Sequence, residues 1–308
     1  MTTTSPTALV LGGAGMIGLG VLGHLGSLGI HVKGTSRNPA SADTSLRDRL
    51  VQFTLGDDDL AALVAELGTG DIVVNSLGLI KHHIDDSKAA DRLAAIRVNS
   101  LLPYELASLA EKQGFRVIQI VTDCVYSGTT GGYSELSNSD AHDVYGQSKR
   151  LGEVPSPSVL NLRCSVIGPE LDSHVNLLEW VLNHPAGSSF SGFTDHLWNG
   201  VTTLAFARIV AGILTTGNPL SGTVHVVPAD SVDKSQLSTM ILAEFGHNGV
   251  TVQPHATGNP VDRTLITVDA ERNATLWSDA GYESIPTIGK MIRELARNTE
   301  HRIDGVSS

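Results

Sequence analysis

The sequence predicts an α/β fold: a doubly wound parallel sheet carrying a smaller C-terminal lobe. Two observations carry that expectation. Short apolar runs rich in β-branched residues alternate with stretches of helical apolar spacing through the first half of the chain, the pattern of parallel strands joined by crossover helices. Between the first apolar run, Thr7 to Leu11, and the first helical stretch, Met16 to Leu28, stands the glycine run Gly12-Gly13-Ala14-Gly15-Met16-Ile17-Gly18. In a Rossmann-like strand, turn and helix of this kind, Gly12 allows the tight turn, Gly15 lets the backbone approach a pyrophosphate, and Gly18 lets the helix pack close to the sheet. The phosphates of a dinucleotide sit on the helix N-terminus, where free N–H groups and the dipole favour anions. Met16 and Ile17 are placed at the same contact.

The elements follow in order. Ile30 to Thr35 reads as the second strand, Leu50 to Leu55 as the third, Leu60 to Leu67 as a short helix and Asp71 to Ser76 as the fourth strand, apolar through its centre as expected when both faces are covered. Ala89 to Gln113 reads as one long helix, with Pro103 its awkward residue and Gly114 closing it. Arg116 to Val121 and Ser158 to Ser165 are the fifth and sixth strands. From Gly168 the pattern loosens into loops running to Asn199. A helix over Thr202 to Leu214, a strand over Thr223 to Val227 and further helices follow. Residues 1–168 are therefore expected to form the dinucleotide-binding unit, with 201–227 returning to it, and 169–308 to supply mainly a substrate-binding lobe.

Composition narrows the function. A chain of 308 residues suffices for one large α/β domain or two smaller ones. A formal net charge of −11 and a pI near 5.5 argue against nucleic acid or an anionic membrane as partner. Cys124 and Cys164, the two cysteines, lie far apart in strand-like runs and read as reduced intracellular thiols. Ala8 to Ile30 is uncharged but crowded with glycine and has no preceding Lys or Arg, so it reads as the nucleotide turn and not as a signal or membrane span. A cytoplasmic protein is expected. No metal site is expected either: adjacent side chains diverge in His82-His83, and no third ligand has suitable spacing.

The chemistry is expected beyond the carboxyl ends of the strands. Thr122 and Asp123 fall at such an end, and Tyr145 and Lys149 share a helix face at i, i+4. An ammonium beside a tyrosine, whose free pKa is about 10, favours the phenolate and makes the hydroxyl a usable acid or base. Alone, such a pair is more often a packed ring and a solvated charge. The glycine turn and Thr122 point it at a cleft.

These residues carry a resemblance to the extended short-chain dehydrogenase/reductases, and more narrowly to the dTDP-4-dehydrorhamnose reductase branch of sugar-nucleotide reductases. Val121-Thr122-Asp123-Cys124-Val125-Tyr126-Ser127-Gly128 is similar to that family's Ser-Thr-Asp-Tyr-Val-Phe-Asp-Gly stretch. Tyr145 to Lys149 with Gly152-Glu153 matches its Tyr-Gly-x-Ser-Lys-x-x-Gly-Glu. Asn176-Leu177-Leu178, Asn199-Gly200-Val201-Thr202 and Asp262-Arg263-Thr264 are similar in outline to substrate-side segments. The resemblance implies that Tyr145 gives a proton to a carbonyl oxygen, Lys149 binds the nicotinamide ribose and depresses the tyrosine pKa, and Thr122 hydrogen-bonds the same oxygen. It implies that Asn99 supports a water relay to Lys149, that Asn75, Ser76 and Gly78 pass the cofactor ribose, and that Asp57 bonds the adenine amino group. Asn99 could equally bond backbone only, and Asp57-Asp58-Asp59 could equally be an acid cluster at a helix start. Asp123, Asn176, Trp198, Asn199 and Arg263 are the implied substrate contacts. Ser191 to Asn199, holding Phe193, Asp195, His196 and Trp198, reads equally as a substrate lid or as interlobe packing. Cys124 stands where related dehydratases carry Glu, which disfavours 4,6-dehydration. It reads as a small apolar residue and not a nucleophile.

Gly34-Thr35-Ser36-Arg37-Asn38 follows the second strand without a carboxylate. Arg37 can bond a 2′-phosphate and Ser36 can add a hydroxyl donor, so NADP(H) is expected over NAD(H). The expected function is reduction of a nucleotide-linked keto-sugar, at C4, as partner substrate. The alternatives are a sugar-nucleotide epimerase using the same Tyr145 and Lys149, and a non-catalytic dinucleotide-binding regulatory subunit. A homodimer is compatible with the sequence.

Overall fold

A computed structural model describes residues 7–42, 44–170, 176–217 and 221–304. Its centre is a seven-stranded parallel sheet: β1 (Ala8–Leu11), β2 (Val32–Ser36), β3 (Leu50–Gln52), β4 (Ile72–Asn75), β5 (Arg116–Val121), β6 (Val159–Arg163) and a returning strand, Gly222–His225. The spatial order is returning strand, β6, β5, β4, β1, β2, β3. The chain therefore reverses its direction of growth between β1 and β4, the switch point at which doubly wound sheets open a crevice for ligands. All four residues of β1 and of β4 are buried, because helices cover both faces.

On one face, Val10, Val74, Ile118 and Leu160 pack with Val21 and Leu22 of α1 (Met16–Ser27) and with Phe206 and Ile209 of the helix Thr203–Thr216. On the other, Leu11, Val73 and Val117 pack with Leu102, Leu106 and Ala110 of the helix Leu102–Gln113. Gly114 ends that helix at φ 89°, donating its N–H to Ala110 O at 2.8 Å, the left-handed stop glycine supplies without steric penalty.

The long helix expected over Ala89 to Gln113 is continuous but not uniform. Ala89–Ala95 and Leu102–Gln113 are α-helical, and Ile96–Leu101 between them is a π-helical turn. The physical cause is Pro103, which lacks an N–H and whose ring would meet the carbonyl four residues earlier, that of Asn99. Widening the turn sets the Asn99 carbonyl aside, and Asn99 lies where the catalytic candidates converge.

Where loops were expected from Gly168 to Asn199, the described residues form a helix, Leu177–Leu182, and two strands, Ser189–Phe193 and His196–Trp198. Ser189–Phe193 pairs with Thr251–His255, and His196–Trp198 lies between Val232–Asp233 and Val261–Asp262. These strands are short and their partners distant in sequence, so local periodicity carries little of the signal. No helix among the described residues is long and apolar enough to cross a membrane.

Candidate active site

The glycine turn is built as a cradle. Gly12 takes φ 77°, its N–H bonds Thr35 Oγ1 at 3.0 Å, and Gly15 N–H returns to Gly12 O at 2.9 Å. A Cβ on Gly18 would overlap the Gly12 carbonyl oxygen and come within 2.7 Å of Ser76 Oγ, so α1 packs on its own turn as only glycine permits. Gly15 is exposed, and Gly12 O is the one neighbour a Cβ there would meet within 4 Å, at 3.3 Å. As N-cap of α1 it has no side chain to bond the first amides, which leaves them for an anion. These residues fit a dinucleotide pyrophosphate.

Ser76 Oγ donates to Leu11 O at 2.5 Å and fastens the end of β4 to the turn. Asn75 is buried, donating to Gln119 Oε1 at 2.8 Å and accepting from Leu77 N at 3.2 Å. Its side chain is thus a brace between β4 and β5, and of this trio Gly78 is the exposed residue. Beyond β2, Arg37 is exposed and has no hydrogen bond or ion pair among the described residues. Ser36 Oγ accepts from Asn38 N at 3.2 Å and keeps its own proton to give. The acidic triplet divides its tasks: Asp59 caps the helix Leu60–Leu63, Asp58 accepts from Thr54 N at 2.6 Å, and Asp57 is left exposed.

Thr122 ends β5. Its Oγ1 accepts from Cys124 N at 3.1 Å and its hydroxyl donates to Asp123 Oδ1 at 3.1 Å, with the Tyr145 phenol nearby. Asp143 starts the helix Val144–Leu151 by accepting from Gly146 N at 2.7 Å, and is itself held by Lys81 Nζ at 2.7 Å. That helix carries Tyr145 and Lys149 on one side. Burial pushes the Tyr145 phenol well above its ordinary pKa, with Cys124 adding and Thr122 opposing. This corrects the expected depression by Lys149. The ammonium, buried, satisfies itself on Ile120 O at 2.6 Å, and burial brings Lys149 down to about 8. Burial also pushes the Cys124 thiol up to about 12, as befits a residue that is no nucleophile.

Asn99 closes the rear of the site. Its Oδ1 accepts from Leu79 N at 2.9 Å, and its Nδ2 donates to Leu79 O at 3.0 Å and Ser148 Oγ at 3.0 Å. Gly78, Asn99 Oδ1 and Lys149 Nζ meet here: a Cβ on Gly78 would lie 3.7 and 3.9 Å from those two atoms. Glu153, just past the helix, pairs with Arg163 of β6 through two 2.5 Å bonds and anchors the helix end.

The substrate-side candidates separate into two groups. Asp123 and Arg263 come together: burial raises the Asp123 carboxyl, while Arg263 and Lys234 oppose it. Arg263 is aimed by bonds from Nε to Tyr126 O at 2.9 Å and from a terminal nitrogen to Ser127 O at 3.2 Å. Trp198 and Asn199 do not serve as expected. Trp198 is buried, with Nε1 donating to Ser165 Oγ at 2.8 Å, and Asn199 clips the Leu265 backbone through two bonds of 2.7 and 2.9 Å. Both amide groups of Asn199 are spent inside the protein. Asn176 donates to Glu170 and to Met16 Sδ at 3.6 Å, which puts it beside the glycine turn and not beside Tyr145. In the expected lid, Asp195 accepts from Thr257 Oγ1 and Gly258 N, each at 2.9 Å, and Phe193 stands exposed against His196. Lys234, which nothing in the sequence singled out, reaches the Asp123 cluster. A lysine opening a helix carries no local signal of it.

Glycine turn, switch point and the Thr122, Tyr145, Lys149 cluster together define a dinucleotide-dependent enzyme. Residues 8–154 match the NAD dependent epimerase/dehydratase family. The chain is 26% identical over 255 residues to a probable low-salt glycan biosynthesis reductase of Haloferax volcanii, covering 80% of this chain and 82% of that protein. Its fold is similar to that of dTDP-4-dehydrorhamnose reductase from Bacillus anthracis in complex with NADP, with TM-score 0.72 and 17% identity over 95% of this chain and 99% of that one. It is also similar to UDP-glucuronic acid 4-epimerase from Bacillus cereus in complex with NAD, with TM-score 0.66 and 15% identity over 94% and 96%. The resemblance read from the motifs thus holds. The chain is an NAD(P)-dependent oxidoreductase, and over residues 8–154 it is similar to the extended short-chain dehydrogenase/reductases.

Proposed function

We propose that this enzyme reduces a nucleotide-linked keto-sugar, at C4, with NADPH. The observation that carries the reading is the placement of the Thr122 hydroxyl, near the Tyr145 phenol, and of Lys149, one helix turn beyond Tyr145, at the carboxyl end of a sheet whose first helix starts uncapped and glycine-lined. When bound, the nicotinamide supplies the hydride. Thr122 and Tyr145 donate hydrogen bonds to the substrate carbonyl oxygen, where negative charge builds as reduction proceeds, and so favour the transition state over the ground state. Tyr145 then gives up its phenolic proton. Burial keeps that phenol protonated at neutral pH, the form an acid needs in the reducing direction. Lys149, charged below about pH 8, offsets the phenolate and offers hydrogen bonds to the ribose.

Arg37 and Ser36, with no carboxylate beside them, favour the 2′-phosphate of NADPH, and Asp57 is free for the adenine. In this reading residues 1–168, joined by 201–227, hold the dinucleotide, the rest of 169–308 forms the substrate lobe, and the enzyme works in the cytoplasm. A homodimer would cover the exposed apolar side chains Leu93, Ile96, Tyr104 and Leu151, and sedimentation would reveal it. The test is NADPH consumption on a panel of nucleotide-linked 4-keto-sugars. Tyr145→Phe should lower turnover about a hundredfold while NADPH affinity stays near normal. An unchanged turnover removes Tyr145 from the mechanism. An epimerase would instead retain its dinucleotide through purification and consume none.

A further inference from the structure

We propose that Lys234, with Arg263, selects a nucleotide-linked sugar that carries a carboxylate on the ring, next to the carbon that reacts. The inference rests on the reductase reading above and adds the substrate class to it.

The small three-stranded sheet of the C-terminal lobe presents both cations. Its central strand, His196–Trp198, has Val232–Asp233 on one side and Val261–Asp262 on the other. Lys234 and Arg263 are each the residue immediately beyond an outer strand; because those strands run in opposite directions, Arg263 continues to the level of Trp198 and Lys234 to that of His196, and the Lys234 side chain reaches the Trp198 ring. The sheet is docked on the segment that follows the catalytic hydroxyl: Asp262 N–H bonds Gly128 O at 2.8 Å, and a Cβ on Gly128 would meet Val261 Cγ1 at 2.9 Å and Arg263 Cγ at 3.0 Å. Lys234 Nζ lies 5.4 Å from the centre of the Trp198 ring, and that ring is fixed by its bond to Ser165. The aromatic face steadies the cation without giving it a hydrogen-bond partner.

Lys234 is electrostatically costly where it stands. It opens the helix Lys234–Glu244, whose first amides are already capped by Asp233 and Gln236, and the positive end of the helix dipole disfavours a cation there. Burial disfavours it further, lowering it to about 8, with the Asp123 carboxyl opposing. Among the described residues its ammonium has no hydrogen bond and no ion pair, and it is not sealed from solvent. Such a group is completed by an anion from the cleft. Asp123 and Cys124 directly follow Thr122, which with Tyr145 holds the reacting carbonyl. The anion is therefore a substituent of the sugar ring and not the diphosphate, which sits across the ring.

The experiment measures binding of four probes to the NADP⁺-saturated protein by calorimetry: glucuronic acid and glucose, each linked to uridine diphosphate and to thymidine diphosphate. In the nucleotide series that binds, the uronate should bind about tenfold more tightly than glucose, the value of one charge-assisted hydrogen bond in a shielded site. Lys234→Met should remove that preference and Lys234→Arg should retain most of it, with unchanged NADP⁺ affinity showing that each variant is folded. Equal affinity of the wild type for the uronate and glucose members overturns the inference. So does an equal loss for both in Lys234→Met, which would assign Lys234 to the diphosphate. Binding of none of the four overturns the nucleotide-sugar reading itself, and the inference with it.

Discussion

Replacing Gly152 by alanine tests how the π-turn and the catalytic helix are fitted together. Gly152 sits at φ −80°, a conformation open to any residue, so the substitution introduces no backbone strain. What it introduces is a methyl that overlaps the Asn99 carbonyl oxygen and stands 3.2 Å from Pro103 Cγ. Real Cβ atoms essentially never come within 3.0 Å of another heavy atom, so the two backbones must part by roughly an ångström. Overpacking of this kind costs about 1–3 kcal/mol. Parting the backbones also stretches the bonds from Asn99 Nδ2 and Ser100 Oγ to Ser148, now 3.0 and 2.7 Å, at about 1 kcal/mol for each one lost. The better helix propensity of alanine returns up to about 1 kcal/mol. A net destabilisation of about 2 kcal/mol follows, or a fall in Tm of about 4–8 °C for a chain of this size. Differential scanning fluorimetry measures it, and turnover should drop as well because Asn99 and Lys149 move apart. A Gly152→Ala protein that melts within about 1 °C of wild type would show that the helices separate freely and that the close approach has no role.

Three further outcomes are expected. Arg37→Ala should weaken NADPH binding by about ten- to a hundredfold while NADH affinity barely changes; fluorescence titration with both nucleotides decides it, and equal losses, or tighter NADH binding by the wild type, would remove the NADPH preference. The rate constant kcat/KM should fall as pH rises through about 8, where Lys149 loses the charge that burial has made easier to lose, and the fall should persist in Lys234→Met; a profile flat to pH 10 would show that the Lys149 charge is not needed. Asn199→Ala should lower stability by about 3 kcal/mol, because the Leu265 N–H and C=O are left buried without partners, and urea denaturation reads that loss. A variant of unchanged stability but poor substrate affinity would return Asn199 to the substrate.

The sequence by itself determined the sheet, the nucleotide turn and the three central candidates. The glycine turn, β4 and β5 are readable because their signals are local: an apolar run and a turn that only glycine can make. Tyr145 and Lys149 share a helix face through their spacing alone, and Thr122 is placed by ending a strand whose carboxyl end must face the crevice. The tertiary structure decided what each group spends its hydrogen bonds on. Asn199 and Trp198 looked like ligand contacts because an amide or an indole in a polar segment does not say whether its partner is a substrate or the protein's own backbone; here Leu265, 66 residues away, and Ser165 take them. The Tyr145 pKa turned on burial, and Lys149 is committed to the Ile120 carbonyl. Lys234 and Arg263 entered the cleft only because short strands from three distant segments pair around Trp198. Long-range pairing of two or three residues leaves no periodicity to read, whereas a turn or a helix face is written in adjacent residues.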